Sequence, residues 1–207
     1  MKNKQIKSRN RVSTYGEVYT AQREVNSMLD LVGNVVKNIN STVLEPAVGE
    51  GIFLCEILSR RIDEINKMSW NDMTRSWMVL RALSGLYGVD IQPDNVEKCR
   101  SNLIEIVAPF VNNEKQFAKM AKTIVKYNIT CGNTLTTTTA DSRPLKFPEW
   151  TFESDFTITR MDFPLQELLD NGGESNIKHK KYTYRIMPNR HITPEINKEI
   201  FIYGYGK

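Results

Sequence analysis

Histidine and cysteine are scarce in this chain of 207 residues, and each scarcity removes a class of chemistry. The two histidines, His179 and His191, are too few and too far apart for an imidazole-built metal centre. Cys55, Cys99 and Cys131 are odd in number and widely spaced, with neither the close pairs of a zinc site nor the density of a disulfide framework, so they are expected as buried thiols. No run of about 18 apolar residues is present to cross a bilayer, and the opening M-K-N-K-Q-I-K lacks the apolar stretch of a secretory leader. A cytoplasmic protein with no membrane partner is the expectation. Charge of one sign is also not abundant: 28 basic residues stand against 24 acidic ones, and a net +4 attracts a polyanion only weakly as a whole. No internal repeat organises the chain.

What is present suffices for one ordinary domain, with 40% hydrophobic residues to build a core. The basic residues are unevenly placed. Lys2, Lys4, Lys7, Arg9 and Arg11 fill a polar arm over 1–13, expected to be mobile. Lys178, Lys180, Lys181, Arg185 and Arg190, interleaved with Tyr182 and Tyr184, fall in a basic aromatic extension over 171–207. Such a mixture can neutralise phosphates and stack on bases, so DNA is the expected partner there.

The body, 14–170, is arranged around T-V-L-E-P-A-V-G-E-G-I-F at 42–53. Val43 and Leu44 end a short apolar run of the kind a buried parallel strand shows, and Pro46 stops the ladder. Gly49 and Gly51 then permit positive φ and a close approach of ligand to backbone at the start of a helix. Glu45 puts a carboxylate at the strand end, which suits a cationic or amine-bearing ligand better than a pyrophosphate.

Around that loop, helical spacing predicts a helix capped by Thr20 and carrying Val25, Met28, Leu29, Val32 and Val36, then one carrying Phe53, Leu54, Ile57, Leu58 and Ile65. A third carries Trp70, Met73, Trp77, Leu80 and Leu83, and an aromatic stripe at this spacing reads as core. Leu86–Ile91 is the second buried strand, Pro93 opens a helix through Phe110, and Phe117–Ile124 is helical. Val125–Cys131 is expected as the third strand, Thr136–Pro148 as a surface loop and Phe156–Met161 as a fourth strand. Pro164–Leu169 reads as a short helix stopped by Gly172 and Gly173, and Glu199–Tyr203 as one more strand. Strands alternating with helices predict an α/β fold, a parallel sheet with the ligand crevice beside the first strand.

The order Gly16-Glu17-Val18-Tyr19-Thr20, then E-P-A-V-G-E-G-I-F, then Tyr87-Gly88-Val89-Asp90-Ile91, resembles the donor-binding half of the S-adenosylmethionine-dependent N6-adenine DNA methyltransferases of restriction-modification type. The likeness covers about 14–135. It implies a Rossmann-like class I methyltransferase fold, abbreviated here, with S-adenosylmethionine as cofactor. Carried over residue by residue, Thr20 contacts the donor's carboxylate, and Glu45, Pro46, Ala47, Gly49 and Gly51 form the loop. Asp90 takes the ribose hydroxyls, Ile91 packs on the adenine, and Asn133 stands where the family has an aspartate for the adenine amine. The family's proline after the threonine is Ala21 here.

The resembled enzymes also place [DNS]-P-P-[YF] after the fourth strand, and no P-P pair occurs in this chain. Asp162-Phe163-Pro164 stands in its place with an acid, an aromatic ring and one proline in altered order. An exocyclic base amine is a poor nucleophile, so its hydrogens need acceptors while a ring stacks on the extruded base. The 43 residues after Pro164 do not hold three further strands with their helices, which points to a shortened sheet or a partner subunit that supplies the remainder. Three readings stay open: an active enzyme with a reduced motif, a donor- or DNA-binding module without chemistry, and one subunit of a split methyltransferase.

Overall fold

A computed structural model describes residues 20–171 and 179–186. The arm over 1–13, Gly16–Tyr19, Gly172, Gly173, Lys178, Arg190, His191 and the strand expected at Glu199–Tyr203 lie outside the described residues.

The first helix, α1 (Gln22–Val32), starts one residue later than its expected cap. Ala21 is the cap: its carbonyl accepts the Glu24 and Val25 N–H groups, and its own N–H donates to the Glu24 carboxylate at 3.2 Å. Glu24 thus supplies the fixing group that Thr20 was expected to give. Val25 and Leu29 are buried, whereas Met28 and Val32, expected in the same stripe, are half-exposed. A 3-10 turn (Gly33–Val36) follows, with Gly33 at φ +67°.

Strand β1 (Val43–Glu45) leads into α2 (Ile52–Asn66), then α3 (Asp72–Ser84) and β2 (Leu86–Asp90). The side chain of Asn71 caps α3 by accepting the Thr74 N–H at 2.9 Å. Pro93 begins α4 (Pro93–Val111) as expected, because a first-turn position needs no donor. Helix α5 (Lys115–Asn128) runs four residues beyond Ile124 before β3 (Ile129–Cys131). Phe117, Met120, Ala121, Ile124, Val125 and Asn128 are all buried at helical spacing, which takes Val125–Asn128 from the expected strand into the helix.

β1, β2 and β3 form a parallel sheet in that order, with Val43 opposite Leu86 and Val89 opposite Thr130. The chain is therefore α/β, with helices flanking a three-stranded parallel sheet. β1 lies at one edge of it, so no reversal of strand order is formed beside the first strand among the described residues.

The larger departure comes next. Lys146–Phe152 forms strand β4, where the tail of a surface loop was expected, and Thr157–Pro164 forms β5. β5 does not join the parallel sheet; it is the middle of an antiparallel one, β4-β5-β6, with β6 at Lys181–Arg185. Pro148 is tolerated in β4 because that strand is an edge. Its carbonyl accepts the Tyr87 hydroxyl at 2.7 Å, joining the antiparallel sheet to β2. Tyr87, Val89, Leu145, Phe147 and Leu165 pack into a small core between the two, and α6 (Leu165–Asn171) follows β5 directly.

The main core belongs to the helices. Trp77 is 1% exposed, with Phe152 and Phe156 edge-on to its ring, both at 5.0 Å. Arg61 sits in the same interior with no exposed surface. It has three carbonyl partners: Nη2 donates to Ser41 at 2.7 Å, Nη1 to Ala82 at 2.9 Å and Nε to Val36 at 3.3 Å. Burial pushes its pKa down to about 10, yet it stays charged at neutral pH. These carbonyls end the 3-10 turn, precede β1 and close α3, so one side chain gathers three chain ends below the sheet. Arg61→Met should lower stability by about 3 kcal/mol, because three buried acceptors at about 1–3 kcal/mol each are orphaned while part is recovered by removing a buried charge. Urea unfolding checks this, and a variant as stable as the parent refutes it.

Candidate functional site

The glycine loop is held by bonds to its backbone from three sides. The Val48 N–H donates to Val89 O at 2.8 Å, the Thr134 hydroxyl to Pro46 O at 2.8 Å, and the Asn102 amide to Glu50 O at 2.9 Å. Gly49 and Gly51 both take the left-handed backbone expected of them, at φ +54° and +87°. Their surroundings differ. A Cβ on Gly49 would meet nothing within 4 Å, whereas one on Gly51 would lie 2.5 Å from the Cys99 Sγ of α4. Gly51 is a glycine for helix packing, and Gly49 is the one that leaves open space above the loop.

Asp90 ends β2 beside this space. Its Oδ2 accepts the Gly49 N–H at 2.8 Å, while Oδ1 accepts the Gln92 N–H at 2.8 Å and the Asn95 amide at 3.3 Å. The acid expected to receive two ribose hydroxyls is therefore engaged by backbone on both oxygens. Each carboxylate oxygen has two lone-pair directions, and the Gly49 N–H uses one of those on Oδ2. Ile91 next to it is 51% exposed, a sizeable apolar surface at the strand end.

Glu45 is half-buried, and that burial raises its pKa above the ordinary 4.5 against the opposing Ala47 N–H, which it accepts at 3.4 Å. Asn133 is occupied otherwise than expected: its Oδ1, assigned to an adenine amine, accepts the Leu135 N–H at 2.9 Å in a local turn. Ahead of α1, Gln22, two residues after Thr20, donates to Glu56 in the second turn of α2 at 2.9 Å, and no hydrogen bond joins Thr20 to the loop among the described residues. Glu45, Pro46, Ala47, Gly49, Gly51, Asp90 and Ile91 thus belong to one end of the parallel sheet.

Asp162, Phe163 and Pro164 are part of the second sheet. They are the last residues of β5, paired with Pro148, Phe147 and Lys146. Arg160, two residues earlier on the same face, donates from Nη2 to Asp162 Oδ2 at 3.1 Å, and its Nε lies 3.0 Å from Oδ1 in an ion pair too bent for a hydrogen bond. The guanidinium is sandwiched between the rings of Tyr127 at 3.6 Å and Tyr182 at 4.1 Å and donates to the Tyr184 hydroxyl at 3.0 Å. Its side chain is 3% exposed. Phe163 stands 4.3 Å from the His179 ring and lines a cavity of about 470 Å³ with Leu44, Tyr87, Phe147 and Leu165.

No family model, curated protein or solved structure matches this chain. Function therefore rests on the site alone. Among the described residues no helix is long and apolar enough to cross a membrane, and no group of His, Cys, Asp or Glu is placed to hold a metal ion.

The Arg160 cluster was missed from the sequence. Its signal was there in the i, i+2 spacings Arg160/Asp162 and Tyr182/Tyr184, which put each pair on one face of a strand.

The two glycines give a paired prediction. Gly51→Ala should destabilise the protein by at least about 2 kcal/mol, from left-handed strain of about 1–2 kcal/mol and the clash with Cys99. Gly49→Ala carries only the strain and should lose about 1–2 kcal/mol in the same urea titration. Equal losses would show that the loop, not the α4 contact, demands Gly51.

Proposed function

We propose that this chain is the S-adenosylmethionine-binding part of an N6-adenine DNA methyltransferase, and that the acceptors for the target amine come from a second chain. The observation that carries the donor half is the joint between Asp90 and Gly49. It sets the strand-end acid and the open, left-handed turn of the loop against one another at the carboxyl ends of two parallel strands. That is where an α/β sheet takes a nucleotide-like ligand.

The residues fit the donor's groups in the following way. The free lone pair of Asp90 Oδ2 receives a ribose hydroxyl, and the exposed face of Ile91 packs on the adenine ring. Glu45, whose pKa is raised yet which ionises readily beside a cation, takes the ammonium of the methionine part. Asn133 offers the adenine amine the lone pair of Oδ1 that the Leu135 N–H leaves. When bound, S-adenosylmethionine supplies an electrophilic methyl group on a sulfonium.

The second half of the reading rests on Arg160. A carboxylate already gripped by a buried guanidinium is a weak acceptor for an amine hydrogen, and freeing it would strand that cation between two tyrosines. Asp162-Phe163-Pro164 therefore serves the antiparallel sheet, and an active enzyme with this altered motif is the less supported reading.

Calorimetry with S-adenosylmethionine or its demethylated product should show binding, and Ile91→Ala should weaken it about fivefold, near 1 kcal/mol, without changing stability, because Ile91 is already half-exposed. Asp90→Ala should abolish it. Absence of heat at millimolar donor would end the donor reading. Tritium transfer to adenine-containing DNA by the purified chain should be weak or absent, and a robust rate would overturn the need for a second chain.

A further inference from the structure

We infer that the face shared by α5 and β6 is a binding surface for the sugar-phosphate backbone of a nucleic acid, separate from the glycine loop. Helix α5, K-Q-F-A-K-M-A-K-T-I-V-K-Y-N, contains four lysines and no acid. Lys115, Lys119, Lys122 and Lys126 are all exposed. At 100° per residue they fall within an arc of about 60°, so they form a single stripe along the helix. Among the described residues none of the four pairs with a carboxylate.

The stripe has a second wall. A groove of about 550 Å³ runs beside it, with Gln116, Lys119 and Thr123 on the helix side and Tyr184 and Arg185 on the β6 side. Lys180, Lys181 and Arg185 are exposed on that side, and Arg185 touches one acid, Asp155, at 3.3 Å. Tyr127 and Tyr182, which hold Arg160 between them, each lie beside a lysine ammonium, Lys126 at 5.8 Å and Lys180 at 5.1 Å.

Within the described residues this face is strongly basic. Seven of its 28 basic side chains and none of its 24 acidic ones lie in 115–128 and 180–186, so elsewhere 21 basic residues face 24 acidic ones. The chain's modest net charge thus hides a strongly basic face on a body that is slightly acidic. The spacing suits a regular polyanion. Steps of four, three and four residues carry the lysines along about 16 Å of helix, the axial length over which one strand of a B-form duplex presents about five phosphates.

A membrane surface is a poorer match, because an interfacial helix needs an exposed apolar face. The apolar residues of α5, Phe117, Met120, Ala121, Ile124 and Val125, are all buried in the core. Polar and aromatic groups, lysines that pair with no described carboxylate, and no exposed large apolar side chain fit a nucleic-acid backbone. The inference deepens the reading of a DNA substrate given above, and a donor titration on the same variants keeps failure of one apart from failure of the other.

Fluorescence anisotropy of a labelled adenine-containing duplex, titrated with the full chain at several salt concentrations, tests it. Replacing Lys115, Lys119, Lys122 and Lys126 together by glutamine should weaken binding at least tenfold at about 0.1 M salt and flatten the slope of log affinity against log salt by about 3–4. A control that neutralises Lys37, Lys67, Lys98 and Lys146 removes the same charge and should change affinity less than threefold. Lys181→Gln with Arg185→Gln should give a smaller loss of the same kind, and circular dichroism verifies that each variant is folded. Equal losses in test and control variants would show a diffuse field and no surface. Wild-type protein that ignores the duplex, or prefers vesicles of anionic phospholipid to it, would also overturn the inference.

Discussion

The Asp90 carboxylate, accepting N–H groups from Gly49 and Gln92, is the joint on which the upper end of the sheet depends. β1 and β3 are three residues long, so ladder hydrogen bonds between them and β2 are few. Such a sheet needs fastening at its ends. Above, Asp90 ties the glycine loop to the start of α4, while its own carbonyl accepts the Gly132 N–H at 3.0 Å. Below, Arg61 gathers Val36, Ser41 and Ala82, and the buried Asn128 amide donates to Ser84 and Leu86 at 2.8 and 2.9 Å. Asn128 also accepts the Trp150 indole N–H at 2.7 Å, which carries the fastening on to the antiparallel sheet.

That dependence explains why one residue can be asked to do two things. In a longer sheet the strand-end acid can be left free for a ligand, because the ladder holds the strands. Here Asp90 is a structural acceptor first and offers a ligand what remains. A donor that bound through it would also brace the loop against β2, so donor binding and local stability are linked through the same oxygen.

Helices and their core faces were legible in the sequence because their signal is local. Of the expected stripe Trp77, Leu80 and Leu83 are buried, while Trp70 and Met73 are half-buried and Trp70 precedes α3. The loop glycines and Asp90 were legible because positive φ and a strand-end acid have few substitutes. What was not legible is where β5 pairs. T-I-T-R-M-D reads as a strand in either sheet, and its direction is decided by β4, whose K-F-P-E-W-T-F looks like a loop because of Pro148. Only the long-range pairing shows Pro148 on an edge, turning its carbonyl to Tyr87. The Val125–Asn128 misreading has a simpler origin: a β-branched run at a helix end satisfies both periods until its neighbours bury one of them.

The second sheet changes what the altered D-F-P order means. In a continuous parallel sheet, residues after a fourth strand emerge at the same end as the glycine loop and can face its ligand. β5 also ends on that side, since the Leu165 N–H donates to Leu145 O beside Gly132, whose N–H donates to Asp90 O, but Asp162 is gripped on its own face by Arg160, which Tyr127 of α5 and Tyr182 of β6 flank. The acid, the cation and the two rings thus fasten α5 to β5 and β6, the elements that flank the basic groove. In the fold, Asp162 supports that face through its pairing with Arg160.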